Sequence, residues 1–329
     1  MDTVLSGIRS TGHLHLGNYY GALKNFVDIQ TKYNCLFFIA DVHSLTTHPH
    51  PDDLHAAVRT ILAEYLASGL DPEKSTIFIQ SDVPEIAELT VLLNMITYKG
   101  ELERTPAFKD KVKKNPDNVN AGLLTYPVLM ASDILIHRSK WVPVGKDQLQ
   151  HLEMARTLAR RFNRTYNTEI FVEPQALVFG KEAIKVPGLD GNGKMGKSEG
   201  NGIYLCDDEN TIIKKVKRAL TDAGPTEPNS EMPECISNLF TIMNLVSDPS
   251  TLEYFKEKYN NCSIRYGDLK KQLAEDICKV TLPIRARIDD IYKDENYLRK
   301  VAKMGAEKAR ESASATLQLA RKAIGFRSL

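Results

Sequence analysis

The sequence predicts an α/β fold with a parallel sheet, followed by an all-helical region, on three observations. Short runs of β-forming apolar residues alternate with helical patterns in the first half of the chain, as in parallel βαβ units. These runs are nearly continuous in apolar residues, which strands buried on both faces require. After a glycine-rich loop at 186–202, only helical periodicity continues. We therefore predict an α/β domain over 1–202 and a helical domain over 203–329, with the last helix placed to pack back on the first domain.

Four strands are predicted in the first domain. They cover residues 3–8, 35–40, 76–80 and 141–144, and the last is the shortest. Each is bounded by turn-forming or helical sequence, so each fits one strand of a sheet whose crossovers are helices.

The helices are predicted from apolar residues that recur on one face. The clearest begins after Pro51-Asp52, buries residues such as Ile61 and Leu66, and stops at Gly69. A second helix is predicted over 147–162. The helical domain contributes predicted helices at 208–221, 234–246, 265–292 and 297–324, with polar linkers at 223–228 and 247–249.

Composition excludes several functional classes. Lys and Arg number 43 against 42 Asp and Glu, so a polyanionic partner has to be bound by local basic patches. The five cysteines contain no C-x-x-C pair, which favours reduced thiols and a cytoplasmic location over a disulfide framework or a zinc ribbon. The chain shows no signal-peptide pattern and no run of 18 apolar residues, so no membrane partner is expected.

The first motif is His15-Leu16-Gly17-Asn18, which follows the first predicted strand and opens a helix. Backbone N–H groups at a helix start bind phosphate, and an imidazole donates to a phosphate oxygen. The alternative interpretation is a helix cap beside core packing, and three fixed residues alone do not exclude it.

The second motif is a glycine-rich segment at 191–198 that carries Lys194 and Lys197. It satisfies the phosphate-loop pattern G-x-x-x-x-G-K-S, which would make the protein a P-loop NTPase. That motif needs a buried strand before it and a helix after it, whereas Pro187 precedes this segment and Gly200 and Gly202 follow it. The sequence therefore favours a mobile loop with two cations that close over phosphates.

No metal site is predicted. The pairs His13 with His15 and His48 with His50 have no third and fourth ligand at a recognisable spacing.

The two motifs together resemble the class I aminoacyl-tRNA synthetases, which pair H-x-G-N after a first strand with a later K-M-x-K-S. Three more segments resemble the bacterial tryptophanyl-tRNA synthetases in particular, and they lie at 100–111, 125–135 and 142–151. The resemblance extends from Ser6 to Phe326. It implies a Rossmann-like catalytic domain, a C-terminal anticodon-binding domain, and activation of tryptophan with ATP before transfer to tRNA(Trp).

The resemblance also implies a set of residues for ATP. Amino-acid activation is a displacement at the α-phosphate that needs positioned reactants and positive groups rather than an enzyme nucleophile. Our candidates for catalysis are Lys194, Lys197 and Lys111 on the triphosphate, with Mg²⁺ sharing the charge, and His15. The ATP-binding residues implied are Arg9, Ser10, Thr11, Gly17, Asn18, Gly145, Lys146, Asp147, Lys185, Lys194, Met195, Gly196, Lys197 and Ser198.

Two positions depart from the family pattern. Gly196 stands where the family usually has serine, which removes a hydroxyl and adds flexibility. Arg9-Ser10-Thr11 stands where many relatives have Gln-Pro-Ser, and an arginine at this position can reach a phosphate directly.

By resemblance, Asp133 accepts the indole N–H of tryptophan. A carboxylate on so apolar a helix is costly to bury without a donor. The alternative is that Asp133 pairs with Arg138 and has no role in recognition. Met130, Val142 and Val144 are expected to form the apolar slot, and Tyr126 and Gln148 to take the α-ammonium group.

Three other functions stay open at this point. A tyrosine–tRNA ligase shares the fold and both loops, but it typically has glutamine at the place of Met130. A noncatalytic nucleotide-binding paralogue keeps the fold without the activity. A P-loop NTPase requires the strand and helix that the flanking sequence disfavours.

The partners implied are tRNA(Trp), L-tryptophan and a second copy of the chain. Lys214, Lys215, Lys217 and Arg218 form a basic cluster, and reversing the charges of Lys214, Lys215 and Arg218 is expected to weaken tRNA binding but spare adenylate formation. For the homodimer implied by the family, the stretch 85–99 offers an apolar helix face, although a core-facing helix has the same pattern.

Overall fold

The computed structural model describes residues 1–114, 116–145, 148–179, 185–191, 193–197 and 199–327. Its central sheet is parallel throughout and has the strand order β3-β2-β1-β4-β5. The strands are β1 (Thr3–Arg9), β2 (Asn34–Ala40), β3 (Thr76–Ile79), β4 (Trp141–Pro143) and β5 (Gln175–Leu177). The chain builds outward from β1 to β3 and then crosses to the other side of β1, which is the order of a Rossmann-like sheet.

The first four strands confirm the sequence prediction to within one residue at each end. The fifth strand was not predicted. It is only three residues long, Gln175-Ala176-Leu177, and has no β-branched residue, so it lies below the length at which a pattern indicates a strand.

Helices cover both faces of the sheet and form the C-terminal part. They are α1 (Leu16–Asn18), α2 (Lys24–Ile29), α3 (Asp41–Ser44), α4 (Pro51–Ala67), α5 (Glu85–Asn94), α6 (Lys99–Glu103), α7 (Pro106–Lys114), α8 (Ala121–Ile136), α9 (Leu149–Thr165), α10 (Glu209–Lys217), α11 (Glu234–Val246), α12 (Pro249–Asn260), α13 (Tyr266–Lys293) and α14 (Glu295–Ile324). A π-helical segment, Tyr19–Leu23, joins α1 to α2. None of the helices described is both long and apolar enough to span a bilayer.

Helix α12 corrects the linker predicted at 247–249. Pro249 is its first residue, a position where proline is favoured because that N–H has no partner inside the helix. Leu252, Phe255 and Tyr259 are its buried residues.

Two apolar clusters fill the two faces of the sheet, because side chains alternate along each strand. One cluster contains Val4, Phe37, Ile39 and Ile77 and continues into α10–α13. The other contains Leu5, Leu36, Phe38 and Phe78 and continues into α5, α8, α9 and α14.

The last helix, α14, packs on the α/β part of the chain. A Cβ added at Gly305 would lie 1.7 Å from the carbonyl oxygen of Ile77, so the helix backbone touches β3 directly. Glu85 at the start of α5 accepts hydrogen bonds from Arg310 Nε at 3.1 Å and Ser314 Oγ at 2.8 Å. The division into domains at residue 202 stays a prediction.

Helix α5 carries the apolar face that the sequence left open between core and dimer. Ile86, Leu89 and Leu93 are buried in the core. The large apolar side chains that remain exposed in this region are Val91, Met95 and Tyr98. The buried residues Ile86, Leu89 and Leu93 therefore belong to the core of the chain and not to a dimer surface.

Candidate active site

The strand order reverses between β1 and β4, and a cavity of about 640 Å³ lies at the carboxyl ends of these strands. Open parallel sheets bind their ligands at such a reversal. Residues of β1, β2, α7, α8 and β4 line the cavity, together with residues around the start of α9.

His15 caps helix α1 beside this cavity. Its Nδ1 accepts a hydrogen bond from Asn18 N at 3.2 Å, and Asn18 Oδ1 accepts one from His15 N at 3.2 Å. Burial, together with Lys197 and Lys194, lowers the pKa of His15 to about 4, so the ring is neutral at pH 7. With Nδ1 accepting, the ring proton is on Nε2, which is therefore the nitrogen able to donate to a phosphate.

Gly17 allows this arrangement. A Cβ at Gly17 would lie 2.8 Å from Cε1 and Nδ1 of His15, so a larger residue would displace the ring. The helix-cap interpretation is thus correct for Nδ1 of His15, while Nε2 stays available to donate a hydrogen bond to a ligand.

The two signature segments lie side by side. Residues 14–16 pair antiparallel with 203–205, with Leu16 N donating to Ile203 O and Leu205 N to Leu14 O, both at 2.9 Å. Lys197 Nζ donates to the carbonyl oxygen of Gly12 at 3.2 Å. The stretch around Gly12 and the lysine segment, which are far apart in sequence, are therefore in direct contact in the fold.

The lysine segment does not have the geometry of a P-loop. Met195 N donates to Val186 O at 2.9 Å, and Pro187 forms an isolated antiparallel bridge with Lys194. The described residues from 185 to 207 contain no helix, and the nearest one downstream is α10. Tyr204 OH donates to Lys197 O at 3.2 Å, which anchors the end of the loop.

Three cations lie near one another, because Arg9 and Lys111 line the cavity and Arg9 acts electrostatically on Lys197. Burial lowers the pKa of Lys197 to about 8 and that of Lys111 to about 8, with Arg9 contributing to both shifts. Arg9 lines the cavity, and its buried Nε and Nη2 have no acceptor among the described residues. A buried guanidinium without an acceptor is costly, so this end of the cavity favours an anion.

Other residues predicted for ATP have protein partners. Ser10 is buried and its hydroxyl donates to Ser44 Oγ at 3.0 Å. Thr11 N donates to Arg9 O at 2.9 Å in a turn, and Gly145 O accepts from Gln148 N at 3.0 Å.

The loop lysines differ in exposure. Lys194 and Lys185 are exposed, whereas Lys197 is half-buried and Met195 is buried. Gly196 N donates to Asn201 Oδ1 at 3.1 Å. Three residues predicted for ATP lie outside the described residues, namely Lys146, Asp147 and Ser198.

Asp133 lies at the floor of the cavity and is 4% exposed. Its two carboxylate oxygens accept from Gln80 Nε2, each at 2.9 Å. Burial raises the pKa of Asp133 well above its ordinary value. The pairing with Arg138 considered for Asp133 is wrong, because Arg138 is exposed and Gln80 is the partner.

The rest of the predicted amino-acid pocket lines the same cavity. Met130, Val142 and Val144 lie around it. Tyr126 OH is 3.0 Å from His151 Nε2, and His151 Nδ1 is 2.9 Å from Gln148 Oε1. Tyr126 and Gln148 are thus linked through one imidazole.

Sequence reasoning missed Gln80, His43 and His151 as parts of this site. Gln80 follows β3 directly, and His43 comes just after β2. Gln80 also accepts from His43 N at 3.1 Å, and His43 packs edge-on against the ring of Tyr126. Polar residues just beyond the ends of parallel strands are the signal that would have found the first two.

Comparison with known proteins identifies the family. A model of class I tRNA synthetases for tryptophan and tyrosine matches residues 2–281. The tryptophan–tRNA ligase of Porphyromonas gingivalis is 63% identical over 99% of this chain and 100% of that protein. The ligase of Rickettsia bellii is 44% identical over 98% of each chain. The chain belongs to the tryptophan–tRNA ligases of class I.

A solved structure of this family agrees with the fold along the whole chain. The tryptophanyl-tRNA synthetase of Campylobacter jejuni in complex with ADP and tryptophan has a TM-score of 0.88 and 36% identity, covering 98% of this chain and 100% of that one. A tyrosyl-tRNA synthetase from Archaeoglobus fulgidus, with a TM-score of 0.66 and 19% identity, shares the fold alone.

Proposed function

We propose that the chain joins L-tryptophan to tRNA(Trp) in two steps at this cavity. The tryptophan carboxylate attacks the α-phosphate of ATP, which forms tryptophanyl-adenylate and releases pyrophosphate. A terminal ribose hydroxyl of the tRNA then attacks the adenylate carbonyl and releases AMP. The observation that carries the proposal is the contact of Lys197 with Gly12, beside an apolar cavity with Asp133 at its floor.

The cations act on the phosphates. We assign the triphosphate to Lys197, Lys194 and Lys111. We assign Arg9 to the end of the cavity nearest to the triphosphate, where negative charge builds up during the displacement. Mg²⁺ enters with ATP and shares that charge. His15 holds a phosphate oxygen through its Nε2 proton. These groups position ATP and the carboxylate in line, which in favourable cases lowers a barrier by about 7–11 kcal/mol.

Asp133 is assigned to the indole N–H. Gln80 already donates to both carboxylate oxygens, and the indole adds a donor that stabilises the ionised form. Phenylalanine has no such donor and leaves the carboxylate with one partner fewer, so it is rejected. Tyrosine donates through its hydroxyl, but Val142 and Val144 form an apolar wall suited to a flat ring system.

The helical part is proposed to bind tRNA, and Lys214, Lys217 and Arg218 are exposed on or beside α10. Lys215 differs from them, because its Nζ lies 2.6 Å from Asp207 Oδ2, which also accepts from Tyr204 N at 2.8 Å. We assign Lys215 to support of the lysine loop and leave it out of the tRNA surface.

A homodimer is proposed from the family. The exposed apolar side chains Val91, Met95 and Tyr98, beside α5, offer an edge for it. The five cysteines are unpaired, which suits a reducing, cytoplasmic compartment.

The test is ATP–pyrophosphate exchange by the full chain with tryptophan, tyrosine or phenylalanine as the only amino acid. Tryptophan should support exchange, whereas phenylalanine and tyrosine should each be at least about 100-fold weaker in kcat/KM. Exchange with tyrosine but not tryptophan would make the chain a tyrosine–tRNA ligase. Absence of exchange with all three would indicate a noncatalytic paralogue.

A further inference from the structure

Three metal-ligating side chains meet outside the catalytic cavity, beside the first signature segment. The ligand atoms of His13, Glu64 and Cys206 all lie within 4.8 Å of one another. None of the three lines the cavity described above. We propose that they bind a thiophilic divalent transition-metal ion, with Zn²⁺ as the natural choice.

The register of the backbone produces this cluster. His15 is paired with Tyr204, and Leu205 N donates to Leu14 O, so continuing the antiparallel pairing puts Cys206 opposite His13. The third ligand, Glu64, comes from α4. It is held by the same pair of antiparallel segments, because Leu14 N donates to Glu64 Oε2 at 2.8 Å. Residues far apart in sequence supply the three ligands, which is why the spacing of histidines indicated no site.

Glu64 gives the cluster its rigidity. Its side chain is fully buried, and its Oε1 lies 2.9 Å from His13 Nδ1. A buried carboxylate needs charged or hydrogen-bonding partners, and both Glu64 oxygens have one: Oε2 accepts from Leu14 N, and Oε1 lies against the imidazole of His13. The His13 side chain is 48% exposed, so its ring has room to adjust its position for metal ligation.

The donor set selects the kind of ion. A thiolate, an imidazole and a carboxylate suit Zn²⁺ and related ions, whereas Mg²⁺ and Ca²⁺ prefer oxygen ligands alone. Three protein ligands leave a fourth tetrahedral position for water. Binding releases the thiol proton of Cys206 and one ring proton of His13 to solvent, because the ligands are the thiolate and a neutral imidazole.

The position of the site suggests what the metal does. Cys206 lies two residues beyond Tyr204, whose hydroxyl holds the carbonyl oxygen of Lys197. His13 lies next to Gly12, whose carbonyl accepts from the Lys197 ammonium. A metal bound by His13 and Cys206 therefore links the segment that contains Gly12 to the segment that contains Tyr204. Both segments contact Lys197, so the metal would restrain the motion of the lysine loop. This restraint rests on the proposed function, whereas metal binding itself does not.

Binding is tested by titrating the reduced full-length chain with Co²⁺, whose thiolate complexes absorb in the near ultraviolet. We expect one equivalent of Co²⁺, a thiolate-to-cobalt band, and loss of that band on addition of Zn²⁺. Cys206→Ser should abolish the band, and His13→Asn should weaken Co²⁺ binding at least tenfold. The matched control is Cys262→Ser, because Cys262 is an exposed thiol outside the cluster.

Far-UV circular dichroism establishes that each variant is folded. Cys206 and His13 are not fully buried, so both variants should fold, and Glu64→Gln is a third variant that keeps the shape of the side chain. A band that survives Cys206→Ser, or wild-type chain that gives no band, would overturn the proposed site.

The restraint is tested separately. Stoichiometric Zn²⁺ should slow ATP–pyrophosphate exchange by the wild type severalfold and leave Cys206→Ser unchanged. Equal slowing of both would mean that Zn²⁺ acts on ATP or elsewhere, and no slowing despite the cobalt band would reject the restraint. Loss of exchange without any metal would instead count against the proposed function.

Discussion

The Lys197 ammonium has a hydrogen bond to the protein that, under the proposed function, it exchanges for the phosphates of ATP. Its ammonium donates to the carbonyl oxygen of Gly12 and is half-buried. We predict that Lys197→Ala lowers the rate of ATP–pyrophosphate exchange by roughly 10²–10³-fold, the usual effect of removing one donor to a developing anion. Lys32→Ala is the control, since Lys32 is exposed and precedes β2 at the opposite end of the sheet. Undiminished exchange by Lys197→Ala would remove the loop from the catalytic machinery.

The pKa values of Lys197 and Lys111 predict how adenylate formation, the first step, depends on pH. Burial lowers the pKa of Lys197 and Lys111 to about 8, so both side chains lose their positive charge as the pH rises through that value. The value of kcat/KM for ATP should therefore fall above pH 8. His15, with a pKa of about 4, is already neutral at pH 6 and should add no change between pH 6 and 7.5. Measured exchange that rises steadily from pH 7 to 9 would contradict this assignment.

Asp133 carries the prediction on specificity. Asp133→Asn keeps the size of the side chain but replaces a carboxylate by an amide, so the indole loses a charged acceptor. Kcat/KM for tryptophan should fall about 10- to 100-fold, as expected for about 1.5–3 kcal/mol in a hydrogen bond to a charged group. The weak exchange with phenylalanine should change little, so discrimination between the two amino acids shrinks. Equal losses for both would assign Asp133 to the structure of the pocket alone.

The sequence indicated single residues better than their partners. His15 and Lys197 stand in motifs, and Asp133 is conspicuous as a carboxylate in an apolar helix. The alternative protein partner, Arg138, is wrong for Asp133, because the fold supplies Gln80 from the end of β3. Contacts between separate strands and helices depend on sheet order, which a list of residues does not contain.

At the scale of elements, the length of the pattern decided what could be predicted. Helices α4, α11, α13 and α14 have long apolar faces and were predicted to within a few residues. The sequence predicts neither strand β5, which is only three residues long, nor helix α12, because its first residue, Pro249, has the pattern of a linker. Short elements are specified by their neighbours in the sheet or the bundle rather than by their own periodicity.

Helix α14 owes its close approach to the sheet to one glycine. At Gly305 a Cβ would lie 1.7 Å from a backbone oxygen of β3, which cannot move without disrupting the strand. We predict that Gly305→Ala destabilises the protein by at least about 2 kcal/mol through overpacking. Gly267→Ala in α13 is the matched control, because a Cβ there meets nothing within 4 Å. It should stabilise by roughly 0.4–1 kcal/mol through reduced freedom of the unfolded chain. Thermal unfolding of both variants measures the difference, and similar midpoints would contradict the packing of α14.

At the scale of the whole molecule, one short antiparallel strip connects the two signature segments. Residues 14–16 lead into α1, the first helix after β1, and residues 203–205 lead from the lysine loop to α10. Because Asp207 accepts from Tyr204 N and pairs with Lys215, the first helix of the C-terminal part is attached to the foot of the loop. The surface proposed to bind tRNA on α10 and the loop proposed to close over ATP therefore involve neighbouring residues.

Substitutions in the basic cluster on and beside α10 can distinguish tRNA binding from support of the lysine loop. Lys214, Lys217 and Arg218 are exposed, so replacing all three by glutamate should remove phosphate contacts without disturbing the loop. We predict at least a tenfold loss in kcat/KM for tRNA, a weaker dependence of tRNA binding on salt, and unchanged ATP–pyrophosphate exchange.

Lys215→Glu supplies the contrast, because it puts a carboxylate beside Asp207 at the foot of the loop. Aminoacylation of tRNA and ATP–pyrophosphate exchange should then fall together. If the triple variant lost exchange as severely as aminoacylation, the surface of α10 would belong to the catalytic loop, and tRNA would have to bind elsewhere. If Lys215→Glu spared exchange while lowering aminoacylation, Lys215 would rejoin the tRNA surface, and the loop would need no support from α10.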